Sequence, residues 1–263
     1  MSDATALDIA HAAMTADEAD DTLRMRFYER LADSELFLLL SAEPTDENVS
    51  PEVFELSDQS FVLVFDREDR LAQFVGGPAP YAALSGRVIA GLLADQNIGL
   101  GLNLEVAPSS ILIPPQAVIW LAETLGHAPK EAEARLIEVA PPADLPECLL
   151  AALDTKLATA VGLAQAAYLV AATYEGDSRN HLLAFVEPLP GAEEALAKAV
   201  AEALTFSGIE AGALDVSFMR ASDPIAAKLA RWGLRFDLPQ PDAPQQVTRV
   251  APGSDPEKPP VLR

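Results

Sequence analysis

The chain has 263 residues, half of them apolar, with 40 acidic against 18 basic side chains and a formal net charge of −22. Its length and apolar share suffice for two cores of ordinary size. The charge argues against binding nucleic acid or an anionic lipid surface, both of which are held chiefly through Lys and Arg. The single cysteine, Cys148, excludes an intramolecular disulfide, and no positively charged start leads into an apolar core. The longest uncharged run, Leu157 to Tyr174, is too rich in Ala, Thr, Gly and Gln for a membrane span. A cytoplasmic protein with no membrane and no nucleic-acid partner is the expectation.

In chain order, a short helix is expected near Ala4 to Met14, with Leu7, Ala10 and Met14 on one face. This leading segment, residues 1–20, is expected to be mobile or to dock elsewhere. A longer helix follows Thr15, where Thr15-Ala16-Asp17-Glu18 has capping-box spacing and Leu23, Phe27, Tyr28 and Leu31 form a stripe. The uninterrupted run Leu36 to Leu40 suits a central strand, and Val53 to Leu56 and Phe61 to Phe65 read as an antiparallel hairpin. Asp66 is placed to cap a short helix with Asp69 in its first turn, Leu71 and Phe74 on one face, and Gly76-Gly77-Pro78 as its end. Ser85 is placed to cap a second helix reaching about Asp95. Ile98, Leu100, Leu102 and Leu104 alternate like a half-buried strand, Ile111 to Ile113 form another, and Pro114-Pro115 open a helix to Leu125. Three to five strands are expected in this half.

The stretch from Gly126 to Glu133 reads as a boundary. Beyond it the pattern predicts a strand at Arg135 to Val139, a helix from Asp144 and Pro146 that places Cys148 inward, and a strand pair at Ala166 to Tyr174 and His181 to Val186. An amphipathic helix from Ala192 to Phe206 turns Leu196, Val200, Ala203 and Leu204 inward and Glu194, Lys198 and Glu202 outward. Leu214 to Phe218, a helix through Trp232, and Leu234 to Phe236 complete it. From Asp237 onward seven prolines fall in 27 residues, so a disordered tail is expected over 237–263.

The segments FVLVF, DREDRLAQF, PYAALSGRVIAGLL, GLGLNLEVAPSSILIP and AVIWL, in that order between Asp21 and Leu125, resemble the N-terminal domain of the SseB family. LPECLLAAL, AAYLVAATY, HLLAFVEPL and FMRASDPIAAKLARWGLRF resemble its C-terminal domain. The fold expected is α+β (mixed α/β): a lead helix over 1–20, two small domains over 21–128 and 129–236, each a short sheet packed with helices, then the Pro-rich tail. The resemblance implies a bacterial protein and brings no catalytic residues with it.

The residues themselves assemble no catalytic, cofactor-binding or metal-ligating set. Gly99-Leu100-Gly101 sits in a strand pattern with no helix behind it to present amides to a phosphate. Cys148, His11, His127 and His181 have no chemical partner at local spacing. Asp66 and Asp69 are better read as helix caps than as an acid and base pair. One loop stands apart: Phe74, Gly76, Gly77, Pro78, Pro80 and Tyr81 join aromatic ends to a stiff, exposed turn, the composition of a protein-contact loop. The expected function is therefore protein binding or regulation without catalysis. The alternatives are an enzyme with an inter-domain site and a secretion-associated accessory protein.

Overall fold

Two helices open the chain in the structure, a computed structural model that describes residues 4–43, 49–56, 58–127, 134–209 and 214–241. The first, α1 (Ala6–Ala16), carries a capping box ten residues earlier than expected: the Thr5 hydroxyl oxygen accepts from the Asp8 amide, and the Asp8 carboxylate accepts from that of Thr5. Thr15 instead lies inside α1, donating to the His11 carbonyl, and Asp20 caps α2 (Asp21–Asp33) by accepting from the Thr22 amide. The leading helix is docked, with Leu7 and Asp8 buried.

Next come β1 (Glu35–Leu39), β2 (Val53–Leu56), β3 (Gln59–Phe65), α3 (Glu68–Val75), β4 (Tyr81–Ser85), α4 (Gly86–Ala94), β5 (Gly99–Leu102), β6 (Ile111–Ile113) and α5 (Pro115–Gly126). The strands form a six-stranded sheet in the order β4-β1-β3-β5-β6, with β2 paired to the first half of β3. Six exceeds the three to five expected, because Tyr81 to Ser85 reads locally as a turn and a helix start. Its strand state is imposed by β1, all five of whose residues pair with it antiparallel. β5 also stops short of Leu104: Asn103 turns the chain with a positive φ of 47°.

Alternation gives this sheet two apolar faces. Leu36, Leu38, Val62, Val64, Leu100 and Leu102 meet Phe27, Leu31, Ile89, Val118 and Leu121 from α2, α4 and α5. On the other face Leu39, Leu63 and Phe65 meet Leu71 and Phe74 of α3 and the Leu104–Val106 turn.

The second half comprises β7 (Leu136–Ala140), α6 (Glu147–Leu157), β8 (Ala166–Tyr174), β9 (Arg179–Val186), α7 (Glu193–Phe206), β10 (Leu214–Met219), α8 (Ala226–Trp232) and β11 (Leu234–Asp237). β8 and β9 form an antiparallel hairpin, α7 carries the chain over to β10 parallel to β9, and β7 and β11 follow one another along the far edge of β8. α6 and α7 cover one face and α8 the other. The fold continues past Asp237: Leu238 is buried and the Pro239 carbonyl accepts from the Gly162 amide. Residues 242–263, the greater part of the expected tail, and 128–133, most of the expected boundary, lie outside the described residues.

The two halves share packing. Phe206 of α7 is buried in the core of the first sheet, edge-on to Trp120 with ring centroids 6.4 Å apart. Glu202, expected to face outward, is 5% exposed. Periodicity identified the polar side of α7 correctly, but at Glu202 that side is covered by α2 and α6, and Arg87 of α4 and Lys156 of α6 neutralise it.

Candidate functional site

The loop singled out from the sequence is anchored at both ends and bare in the middle. Phe74 ends α3 half-buried, its ring 5.4 Å from that of Phe65, and Tyr81 starts β4 edge-on to Phe37 at 5.2 Å. The Glu68 carboxylate beside Tyr81 raises its phenol pKa. Gly76 caps α3 in the left-handed region, φ 83°, a geometry that favours glycine, and its amide and that of Gly77 both donate to the Ala72 carbonyl. Val75, Gly76 and Pro78 are exposed, while the Pro80 carbonyl accepts from the Leu40 amide at 3.0 Å. The aromatic ends are thus anchors, and the turn between them is the available surface.

Leu40 also bridges to Pro51, so the loop and the start of β2 flank the end of β1. β2 and the first residues of β3 form an exposed arm of the sheet. All four β2 residues are exposed, including Val53 at 47%, Phe54 at 36% and Leu56 at 50%. Registers Phe54↔Phe61 and Leu56↔Gln59 put these side chains on the face that α3 covers farther along. Phe61 lies flat across β5 because position 99 is glycine; a Cβ there would meet its ring at 2.6 Å. Leu112 on β6, 40% exposed, and Pro114 complete a shallow hollow of about 260 Å³ with Leu56, Gln59 and Phe61. Three large apolar side chains exposed on a four-residue strand are unusual. The sequence showed the hairpin; the signal that went unused was the V-F-E-L pattern, apolar on both faces.

The most buried charged groups are drawn into two networks. Arg70 pairs with Asp8 and Asp66; Asp66 also accepts from the Thr5 hydroxyl, and Ser109 donates to Asp8 at 2.6 Å. Burial pushes the Asp8 carboxyl upward, but hydrogen bonds from Arg70, Ser109 and the Thr5 amide outweigh it and hold the group far below the usual carboxylate range. Asp66 therefore does not cap α3, whose N-cap is Arg67, and Asp69 pairs with Arg67. Asn103 completes this network, accepting from the Asp66 amide and donating to Ser109. Ser109 is fully buried and its oxygen is committed to both neighbours, which makes it a tie rather than a nucleophile.

The second network joins the halves: Lys156 of α6 contacts Asp33 at 2.7 Å, Glu202 at 2.8 Å and Glu29 at 4.0 Å, and Arg87 pairs with Asp33 and Glu202. Burial raises the Glu29 pKa despite Lys156, and its Oε1 has no hydrogen-bond partner. Beside it a cleft of about 480 Å³ opens between α1, α2 and α6, walled largely by alanines.

The other residues considered stay apart. His11 packs edge-on to Phe27, His127 is exposed at the end of α5, and His181 contacts the Ala143 carbonyl. Cys148, expected inward, is half-buried on the first turn of α6, whose inner positions are Leu149, Ala152 and Leu153. Among the described residues, no group of three or more His, Cys, Asp or Glu is placed to hold a metal ion, and no helix is long and apolar enough to cross a membrane.

The fold is α+β, two short sheets packed with helices. Residues 9–120, less than half of the chain, match the family model of the SseB protein N-terminal domain, so this part of the chain is similar to that domain. The match takes in most of α1, whose Asp8 tie lies just ahead of it, and stops within α5. No curated protein and no solved structure matches the chain.

Proposed function

We propose that the protein acts without catalysis, by binding another polypeptide on the surface formed by the β2–β3 arm and the 76–80 turn. The observation that supports this is the arm: Val53, Phe54 and Leu56 are exposed together beside a stiff loop, and clustered apolar exposure of this kind marks contact surfaces. The same reading makes it a cytoplasmic protein that leaves nucleic acid alone, in keeping with one cysteine and a charge of −22. Its second half, from about residue 129 to 241, is read as the SseB C-terminal domain. A second reading, an enzyme whose site lies where the halves meet, is favoured by the cleft between α1, α2 and α6.

The test is affinity capture from the source cells with the tagged full chain, comparing wild type with F54S/L56S and with V75S/P78S. Phe74 and Tyr81 are avoided because both are half-buried and pack against the core. Loss of one central aromatic contact weakens binding by about 2 kcal/mol, roughly thirtyfold. A partner kept by wild type and lost by F54S/L56S, with thermal unfolding unchanged, is the expected result; equal capture by both variants refutes the surface.

A further inference from the structure

We propose that the arm takes its partner as an added β-strand: an extended segment, alternating apolar side chains with Lys or Arg, laid along the free edge of β2. The inference rests on the arm being a contact surface, and it names the mode and the chemistry of the partner.

The hydrogen-bonding argument comes from register. Leu56 pairs with Gln59 across a two-residue connection, so the pairs alternate from there. In such hairpins the closing pair exchanges both main-chain bonds, the next pair none, and so on. Leu56 and Phe54 therefore bond inward to β3, while Val53 and Glu55 turn their amides and carbonyls outward. Among the described residues no strand pairs with that edge. Edges that must stay solitary are commonly blunted by Lys, Pro, a bulge or an inward charge. Val53-Phe54-Glu55-Leu56 has no Lys, Pro or bulge. Its one charge is turned away from the edge, because the Glu55 carboxylate accepts from the Ser60 hydroxyl at 2.8 Å.

The charge argument comes from sequence placed on this scaffold. Between Arg30 and Arg67 the chain has no Lys or Arg and nine acidic residues, Glu52, Glu55 and Asp58 among them on or beside the arm. A second copy of the chain would bring Glu52, Glu55 and Asp58 to the same edge with no Lys or Arg beside them, and like charges across a sheet destabilise it. A segment with Lys or Arg at alternate positions places its charges against these carboxylates and its apolar side chains over Phe54, Leu56 and the hollow bounded by Leu112. Main-chain bonds then supply affinity and the alternating side chains supply selectivity.

The test uses the full chain and three capped synthetic peptides of about ten residues. One alternates Val and Lys, one alternates Val and Glu, and one carries the same number of Lys with Leu and Ala at helical spacing. The Val/Lys peptide is expected to bind in titration calorimetry, with affinity falling at least about tenfold as salt rises from about 0.05 to 0.5 M. On binding, the Val53 and Glu55 amides should become protected from hydrogen exchange while those of Phe54 and Leu56 change little. E55P, which removes the outward amide, should weaken binding at least about tenfold, and E55Q, which keeps it, by less than about threefold.

If the helically spaced peptide binds as well as Val/Lys, or E55P binds at full strength with its hairpin intact, strand addition is overturned while the contact surface survives on the F54S/L56S capture result. Absence of binding by Val/Lys at millimolar concentration, or sedimentation showing that the edge is filled by a second copy, overturns the proposal as well. Preference for Val/Glu would overturn its charge argument.

Discussion

Lys156→Met should be the most damaging single substitution at the junction of the halves. The Lys156 side chain is 6% exposed and faces Asp33, Glu202 and Glu29, so its loss leaves Arg87 to Asp33 and Glu202 and only the charge of Arg30 acting on Glu29. Methionine fills most of the volume, which isolates the charge effect. Removing one partner from a buried ion pair costs about 3–5 kcal/mol. At roughly 2–4 °C per kcal/mol for a chain of this size, the melting temperature should fall by about 10 °C at neutral pH.

The pH dependence gives the sharper check. In the wild type, burial works against ionisation of Asp33 and Glu202, but their bonds and charge contacts with Lys156 and Arg87 win and lower both pKa values. Their stabilising contribution is present above the ordinary carboxylate range and is lost as pH falls through the lowered folded values. Glu29 runs the other way: burial raises its folded pKa, so its ionised form weakens the fold and protonation relieves it. Without Lys156 all three carboxylates shift upward and take up protons sooner. The deficit of the variant should therefore be largest near pH 7 to 8 and narrow toward about pH 5. Adding Glu202→Gln to the variant should recover part of the loss at neutral pH. Urea unfolding of both proteins across this range measures it. A deficit below about 1 kcal/mol, or one that stays constant with pH, would refute the reasoning.

Arg70→Met strands the buried carboxylates of Asp8 and Asp66 and should cost a similar amount, roughly 3–5 kcal/mol; hydrogen exchange should quicken first in α1, and a uniform change across the chain would show that α1 is not held by this tie. Limited proteolysis should cut between Gly126 and Glu133 and beyond Pro241, yet the two large fragments should co-elute, because Phe206 and the Lys156 network span them; separation of the fragments without denaturant would refute that joint.

Most elements were legible because their signals are local. Leu36 to Leu40 and Phe61 to Phe65 are short apolar runs, the latter β-branched and aromatic, that suit a strand buried on both faces. Pro114-Pro115 opens a helix because Pro fixes a helical φ where no amide bond is required. The hairpin of β2 and β3, the αL end of α3 at Gly76 and the alternation of β8 and β9 follow from equally short-range rules.

What the sequence could not show is which element covers which. Tyr81 to Ser85 becomes a strand because β1 offers it a ladder, and nothing within those five residues announces the partner. The polar stripe on α7 is real, yet Glu202 is buried because α2 and α6 pack over it, with Arg87 of α4 and Lys156 of α6 brought to its carboxylate. Asp8 and Arg70, 62 residues apart, meet because α1 packs on α2 and so brings its first turn to the Arg70 side chain. The candidate surface moved for the same reason. Phe74 and Tyr81 read as a contact loop, but the sheet holds their half-buried rings against its core, whereas Phe54 and Leu56 read as an ordinary strand and are exposed. Periodicity determines which side of an element is apolar; only the tertiary arrangement decides whether that side meets the core, another half of the chain, or water.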